Sequence, residues 1–536
     1  MSEYGKIGNI KSMYTRLDAD RRVGLDRCRL CASLTLPWVL PPENMPKDGK
    51  VAENFQSVGS RGVVTLVGRI IAALFPPDQP WFQLELAPDI EHDPEASPEK
   101  IQAIKDKLFI REIIIQSALE STHLEMSTNI RERRSGFRSN KMTSLTQLIV
   151  TGDTLEHLTD ELRLKVYRRD QYVTVRDSSG DILQHIICEK IDPLSLTDEQ
   201  FTKSKLIRSE VEKKSACERM CDIFTNVEWD PQAKKWKIEQ EVNGETIATA
   251  TESISPFFCT AAYLSPGESY GRGFIEMNLG ELRTMDELEL RLLQFAEMAS
   301  RLLLGIDKNS DVEDEDLTKP TGSLVRNLVV SAGQIQDVGF LRVDKISDFN
   351  VVYQTAERKR RDLGKAMLME DAAAPTGESG RSPVAWQTIV AQLQGALGGM
   401  YAPIADEQQI PLLRRVIHVL EKKNMIVSLG DSVKVTLLTG LAALVKEAKF
   451  NKFLTFLNVI GQMGEEAKAR LDPAVITQVL ARYNGMAEPG ILKSDEKMAE
   501  ERQQVLAEQT QAMAAQQAVK TVGNIAETQA TTPVAA

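Results

Sequence analysis

The chain has 536 residues, 42% of them hydrophobic and 6% aromatic, and its 65 Lys and Arg against 76 Asp and Glu leave a formal charge of −11. That length is too great for one hydrophobic core and predicts about two to four packed units, while the acidic balance excludes a surface that grips nucleic acid everywhere. The longest apolar run, Gly62 to Phe75, carries Arg69 and is too short for a membrane span, and the N-terminal stretch MSEYGKIGNIKSMY lacks the apolar core of a signal peptide, so the chain reads as cytoplasmic where it is made, with no membrane partner.

Sparse aromatics and long stretches of 3.6-residue period predict a mainly α protein with an α+β portion. An amphipathic helix is expected from Ile10 to about Leu36, broken by the proline-rich stretch that follows. A second runs from Ser57 to Leu74 and ends at FPPDQPW, where paired prolines remove the donors a helix needs. Ser97 as N-cap and Pro98 at the first helical position open a third, running to about Arg134, and a fourth covers Asn140–Val150. The period then changes. Alternating residues flank the turn Asp177-Ser178-Ser179-Gly180, and further turns at 230–235 and Asn243-Gly244 predict an antiparallel meander over residues 163–260, laid against helices.

Leu282, Met285, Leu288, Leu292, Phe295, Ala299 and Leu302 recur at three and four, with Glu287/Arg291 and Glu297/Arg301 as supporting pairs, and predict a helix that stops at Gly305. An acidic, turn-rich excursion with short strands follows. A helix over Asp348–Met369 then carries the cations Arg358, Lys359, Arg360, Arg361 and Lys365. Beyond it come a glycine-rich loop, a helical run from Ser382 to Asn424 interrupted at Gly398, Gly399 and Pro403, a set of short helices over Ser432–Gly485, and a Gln/Ala-rich tail from about Met498.

Catalytic and metal chemistry find little support. Cys28 and Cys31 form a CxxC, and Cys217 and Cys221 a CxxxC, but no histidine stands at ligand spacing near either, so reduced, partly buried thiols are expected. The five histidines form neither HxxH nor HExxH. The loop APTGESGRSP has the look of a phosphate cradle, yet its glycines, Gly377 and Gly380, are spaced GxxG, Arg381 stands where a P-loop has lysine, and a basic helix precedes it instead of a strand. No nucleotide and no cofactor are expected. Ser382 and Pro383 do cap a helix whose first N–H groups attract anions, so the loop is a flexible connector that can touch phosphate without hydrolysing it.

Three stretches, QSVGSRGVVTLVGRIIAALFPPDQPWFQLEL, GESYGRGFIEMNLGELRTMDELE and LGGMYAPIADEQQIPLLRRVI, taken in order, resemble the portal proteins (head-to-tail connectors) of short-tailed bacteriophages over about Gln56 to Ile417. The resemblance implies a homo-oligomeric ring of about twelve copies at one vertex of the phage head, through which double-stranded DNA is packaged and ejected. It implies a portal-type fold: a wing of residues 1–266 and 383–431, stem helices 267–304 and 348–369, a clip at 305–347, a tunnel loop at 370–382 and a helical crown at 432–497, with residues 498–536 as a flexible tail. Partners implied are the terminase, a tail adaptor protein, and the scaffolding and major capsid proteins, with a part in starting head assembly and no enzymatic activity. Within the tunnel loop, Thr376, Gly377, Ser379, Gly380 and Arg381 would face channel DNA.

Charge placement sharpens this. A net acidic ring would mostly repel DNA, which suits a conduit through which DNA slides without sticking. Against that background the cations Arg358, Lys359, Arg360, Arg361 and Lys365 either face DNA or pair with Glu281, Glu287 and Glu289 on a neighbouring stem helix, pairing being the commoner fate of charge runs. The acidic run Asp311, Glu313, Asp314, Glu315 and Asp316 in the clip is either a solvated loop or a docking surface for basic segments of the terminase and tail adaptor. Two other functions compete: a nucleic-acid-dependent ATPase motor, which would need the phosphate loop that is missing, and a helical scaffold or adaptor with no DNA role.

Overall fold

The computed structural model describes residues 9–43, 53–75, 81–86, parts of 107–118, 137–215, 217–300, 304–306, parts of 330–340, 346–369, 400–426, 433–437, 453–460 and parts of 476–480. The chain divides into two units, residues 1–443 and 444–536. In the second, the described residues include a helical segment at 453–460.

Two helices, α1 (Ile10–Asp20) and α2 (Arg22–Ser33), stand where one was expected. Asn9 caps α1 by accepting the Ser12 N–H on its side chain. The break between the helices falls at Arg21, whose side chain is 1% exposed. Its guanidinium turns inward and donates to the carbonyls of Arg169, Asp170 and Tyr172 while pairing with Asp18. A buried guanidinium needs such acceptors, and bending the helix is what brings it to them. Next, α3 (Val58–Leu74) appears at its expected place with Val63, Leu66, Val67, Ile70 and Leu74 buried. β1 (Phe82–Leu86) follows, and α4 (Phe137–Thr151) begins slightly ahead of the expected Asn140. The helix expected over Ser97–Arg134 lies largely outside the described residues.

The change to a two-residue period is borne out, but it builds two sheets and not one meander. β2 (Asp153–Leu158) and β3 (Leu164–Tyr167) precede β4 (Tyr172–Arg176), β5 (Ile182–Ile191), β6 (Cys221–Asp230), β7 (Lys235–Val242), β8 (Glu245–Glu252) and β9 (Phe257–Ala261). Between β5 and β6 lie two short helices, α5 (Asp198–Lys203) and α6 (Arg208–Lys213); Thr197 and Gln200 form a capping box at the start of α5. β4 to β8 form a five-stranded antiparallel meander, while β2 is the central strand of a three-stranded sheet ordered β3-β2-β9. At the β7–β8 turn Asn243 and Gly244 have φ of 54° and 80°, the left-handed pair that a two-residue hairpin turn requires. β2 escapes a reading by alternation because it is buried on both faces and carries Asp153, Thr154 and Glu156 inside.

The sheets pack face to face. Leu155, Tyr167, Phe257 and Cys259 of the smaller meet Tyr172, Ile187 and Val227 of the larger. On the far side of the larger sheet, α1 lays Ile10, Met13, Tyr14 and Leu17 over Val173, Ile186 and Phe224. On the far side of the smaller, α4 packs against β2 and β3 with Leu145, Leu148 and Ile149 fully buried. Helix, sheet, sheet and helix thus make a layered body, so the fold mixes helices and sheets.

One histidine in this body predicts its acid response. His157 on β2 stacks on Phe257 at 4.2 Å, and burial, reinforced by the Lys165 and Arg415 charges, pushes its pKa down to about 4. The unfolded chain protonates near the ordinary 6.5, so folding loses stability as pH falls from about 6.5 to about 4. Buried His185, pushed down to about 3, acts in the same direction, whereas Asp153, pushed up to about 6 chiefly by burial, acts in the opposite one. Replacing His157→Phe is expected to flatten the pH dependence of the urea midpoint between pH 6.5 and 4, recovering up to about 3 kcal/mol at the acid end. Parallel curves for the two proteins would refute the assignment.

Three further expectations are corrected. The helix expected from about Gly267 begins at Phe274 as α7 (Phe274–Met277) and continues as α8 (Leu279–Ser300). Leu304 is not its last residue but opens β10 (Leu304–Ile306). After the short strands β11 (Val330–Ser331) and β12 (Gln334–Ile335), β13 (Val338–Phe340) pairs antiparallel with β10, and α9 (Ile346–Ala366) follows. From Met400 the described run continues as a helical turn, Tyr401–Pro403, a π-helical turn, Ile404–Gln409, and α10 (Ile410–Lys422), so Pro403 is absorbed and does not break the helix. Finally, Val433–Leu437 falls where short helices were expected, yet it forms β14, antiparallel to β1 from Phe82↔Leu437 to Leu86↔Val433. Its alternating β-branched residues suit a strand, and only the distant partner makes that preference count.

Candidate nucleic-acid interface on a helical hairpin

Helices α8 and α9 pack as an antiparallel pair. Glu281 meets Lys359 near one end, and Phe295 stacks on Phe349 at 4.8 Å toward the other. The apolar stripe of α8 is fully buried at Leu282 and Met285 but only half-buried at Leu288, Leu292 and Phe295. Ala356 and Leu363 on α9, and Met367 just past its end, are buried. Met367 reaches α3, where a side chain on Gly62 would come within 2.0 Å of its sulfur.

This geometry sorts the five cations of α9. Lys359 pairs with Glu281 at 3.3 Å, and Arg360 pairs with Glu289 across the hairpin and with Glu357 on its own helix. Pairing therefore takes two of the five, and the carboxylates belong to the same chain. Glu287 does not join them: it pairs with Arg283 on α8 at 3.5 Å, in place of the expected Arg291, whose side chain donates to Gln294. The other three lie on the face opposite Ala356 and Leu363. Arg358, 87% exposed, reaches among the described residues only Asp362, at 4.0 Å. Arg361 and Lys365 are exposed and have no carboxylate within ion-pair distance among the described residues. At 1.5 Å per residue the three span about 10 Å of helix surface, a short cationic rail that can meet successive phosphates of a polyanion.

The root of the hairpin is held by contacts that its sequence conceals. Gly152, at the end of α4, has φ +84°, and a Cβ there would lie 2.5 Å from the Arg272 carbonyl carbon. One on Gly271 would lie 2.7 Å from the Ala262 nitrogen and 2.8 Å from the Gly152 oxygen, and one on Gly273 would lie 2.7 Å from the Val150 oxygen. The stretch Tyr270-Gly271-Arg272-Gly273 thus crosses the α4–β2 junction backbone to backbone. Arg169, 3% exposed, lies under the Tyr270 ring at 3.9 Å and 3.6 Å from Asp153, whose Oδ1 accepts the Gly271 N–H at 3.2 Å.

Residues 8–492 match the family described as the bacteriophage head to tail connecting protein. The chain belongs to that family. Among the connector's relatives are the portal proteins of Enterobacteria phage T3, 27% identical over 91% of this chain and 88% of the relative, and of Escherichia phage T7, 26% identical over 94% and 91%. The portal protein of Enterobacteria phage SP6 is 23% identical over 98% of this chain and 97% of its own. Among solved structures, a chain from the virion of a native gene transfer agent particle aligns over 79% of the connector and 89% of its own length, at 12% identity and a TM-score of 0.35. The connector thus has the portal role at the capsid vertex, as a component of the virion.

Of the residues expected to serve that role, only the α9 cations fall within the described residues. Thr376, Gly377, Ser379, Gly380 and Arg381 of the expected tunnel loop, and Asp311, Glu313, Asp314, Glu315 and Asp316 of the expected clip, lie outside them. The crossing at Gly152, Gly271 and Gly273 was not anticipated, although the glycine spacing in ESYGRGF was its visible trace. Among the described residues, no three of His, Cys, Asp and Glu stand close enough to hold a metal ion. Cys28 and Cys31 lie buried in α2, burial pushes both thiols up, and Cys221 opens β6.

Proposed function

We propose that the connector assembles as a ring of about twelve copies whose central channel carries double-stranded DNA into the head during packaging and out during ejection. In this reading α8 and α9 are the stem, the layered body is the wing, residues 305–347 are the clip and residues 370–382 the tunnel loop. The terminase docks during packaging and a tail adaptor afterwards, with the acidic run from Asp311 to Asp316 offered to their basic segments. Scaffolding and major capsid proteins build the head around the ring, the chain itself being made in the host cytoplasm. It acts without catalysing a reaction.

The observation that carries the DNA reading is the sorting of the α9 cations, two paired across the hairpin and three left on an outer face. In a chain of net charge −11 a short exposed cationic rail is a local exception. Three cations per subunit suffice to guide a polyanion and are too few to hold it, since affinity grows with each phosphate neutralised. The half-buried stretch of the α8 stripe around Leu288 to Phe295 supports assembly, because a neighbouring copy would complete its burial.

The triple variant Arg358→Gln, Arg361→Gln, Lys365→Gln is expected to form rings with an open centre in negative-stain images, while the DNA retained per head falls several-fold. Unchanged packaging and retention would remove the rail from the mechanism. Absence of rings from the unaltered protein would remove the whole reading. The paired cations behave differently: Lys359→Gln leaves rail and channel unaffected and costs the hairpin no more than about 1 kcal/mol, the value of a half-exposed ion pair.

A further inference from the structure

The π-helical turn Ile404–Gln409 holds three successive polar side chains, and each fastens to a different part of the body. Glu407 pairs with Arg176 of β4 at 2.8 Å and accepts the Ala261 N–H of β9 at 2.8 Å. Gln408, fully buried, donates to Glu156 of β2 at 2.8 Å and to Ser144 of α4 at 2.9 Å. Gln409, 1% exposed, donates to the Leu74 carbonyl at the end of α3 at 3.1 Å. In an α-helix three successive side chains fan over about 200°, whereas the wider π-turn narrows the fan and lets all three enter one body.

The turn is wide for two reasons. Ile410 donates its N–H to Ala405, five residues back, and Pro411 has no N–H to offer the Glu407 carbonyl, which an α-turn would require. Downstream, α10 cannot slide. Arg415 donates to Asp160 at 2.6 Å, to Glu252 at 2.9 Å and to the Ile254 carbonyl at 3.2 Å, and Lys422 meets Asp160 at 2.9 Å. Any change of register between this helix and the body must therefore be taken up in the turn itself.

We propose that the turn is a one-residue register latch. In the latched state Glu407 holds the extra residue in the π form; in the released state the turn closes to α. The segment entering it at Met400–Pro403 then rotates by about 100° and shifts by about 1.5 Å along the axis, the step of a single helical residue, while α10 stays clamped. Arg176 is the catch. Its side chain is 1% exposed and keeps only the Gly180 and Cys259 carbonyls as acceptors when Glu407 leaves, so release takes the carboxylate from a buried guanidinium, and the π form persists because the surroundings over-determine it.

The Ala261 amide, whose acceptor is the Glu407 carboxylate, reports the latch. Hydrogen exchange on the full-length protein should separate it from general loosening. In Arg176→Met the catch is gone, and in Pro411→Ala the amide that an α-turn needs is restored without altering the body. Both variants are expected to raise exchange at Ala261 and over residues 405–410 by at least about tenfold, with the amides of β5, β6 and β7 unchanged. Unchanged exchange at Ala261 in both would overturn the latch. So would a uniform rise through both sheets, or a response in Arg176→Met alone, since the contacts would then only brace the body.

Discussion

Gly271→Ala is expected to cost about 3–5 kcal/mol of the stability of the layered body, and Gly152→Ala at least as much. The added methyl at 271 meets backbone on two sides, the Ala262 nitrogen at 2.7 Å and the Gly152 oxygen at 2.8 Å, and neither belongs to a side chain that can swing away. At 152 the clash with the Arg272 carbonyl carbon, 2.5 Å away, is joined by a φ of +84° that costs any L side chain about 1 kcal/mol. Gly280 supplies the control. It lies on α8 with nothing within 4 Å of a built Cβ, so Gly280→Ala should be neutral or stabilising by up to about 1 kcal/mol. Denaturant midpoints followed by tryptophan fluorescence measure all three. Equal effects at 271 and 280 would mean the backbone crossing does not hold the root of the hairpin.

The second large effect lies beneath α4. Lys141 and Glu156 form an ion pair at 2.6 Å with both side chains 0% exposed. The lysine also lies 5.4 Å from the centre of the Phe75 ring and 5.9 Å from that of Phe137, and burial pulls its pKa down against the opposing pull of Glu156. Lys141→Met keeps the volume and, among the described residues, leaves buried Glu156 with Gln408 as its one remaining side-chain donor. The expected loss is about 3–5 kcal/mol, the cost of breaking a buried pair by removing one partner. Lys141→Met combined with Glu156→Gln should recover much of it, because no charge is then left inside. A double variant as unstable as the single one would show that lost packing, and not a stranded carboxylate, sets the cost.

The turn at Asn243-Gly244, the helix over Val58–Leu74 and the paired stem-like helices were legible because each rests on local preference. A left-handed dipeptide, an unbroken apolar face and a three-and-four stripe act within a few residues of themselves. The charge run on α9 was legible as a run but not as two populations. Lys359 and Arg360 differ from Arg358 and Arg361 only by about 100° of helix rotation per residue, and which face met α8 depended on where Leu363 and Met367 were buried.

Other features had no local signal. β2 carries polar residues inside because Lys141, Gln408 and Arg169 arrive from elsewhere to meet Glu156 and Asp153. Arg21 ends α1 because its acceptors are carbonyls beyond β3. Family membership, helical periods, hairpin turns and the absence of a phosphate loop were properties of residues near one another in the chain, so the sequence by itself determined them. The division into two sheets, the glycine crossing, the sorting of cations and the π-turn with its three fastenings were decided only by tertiary structure. Each depends on desolvation and close approach between residues far apart in the chain, and neither exists until the body has folded.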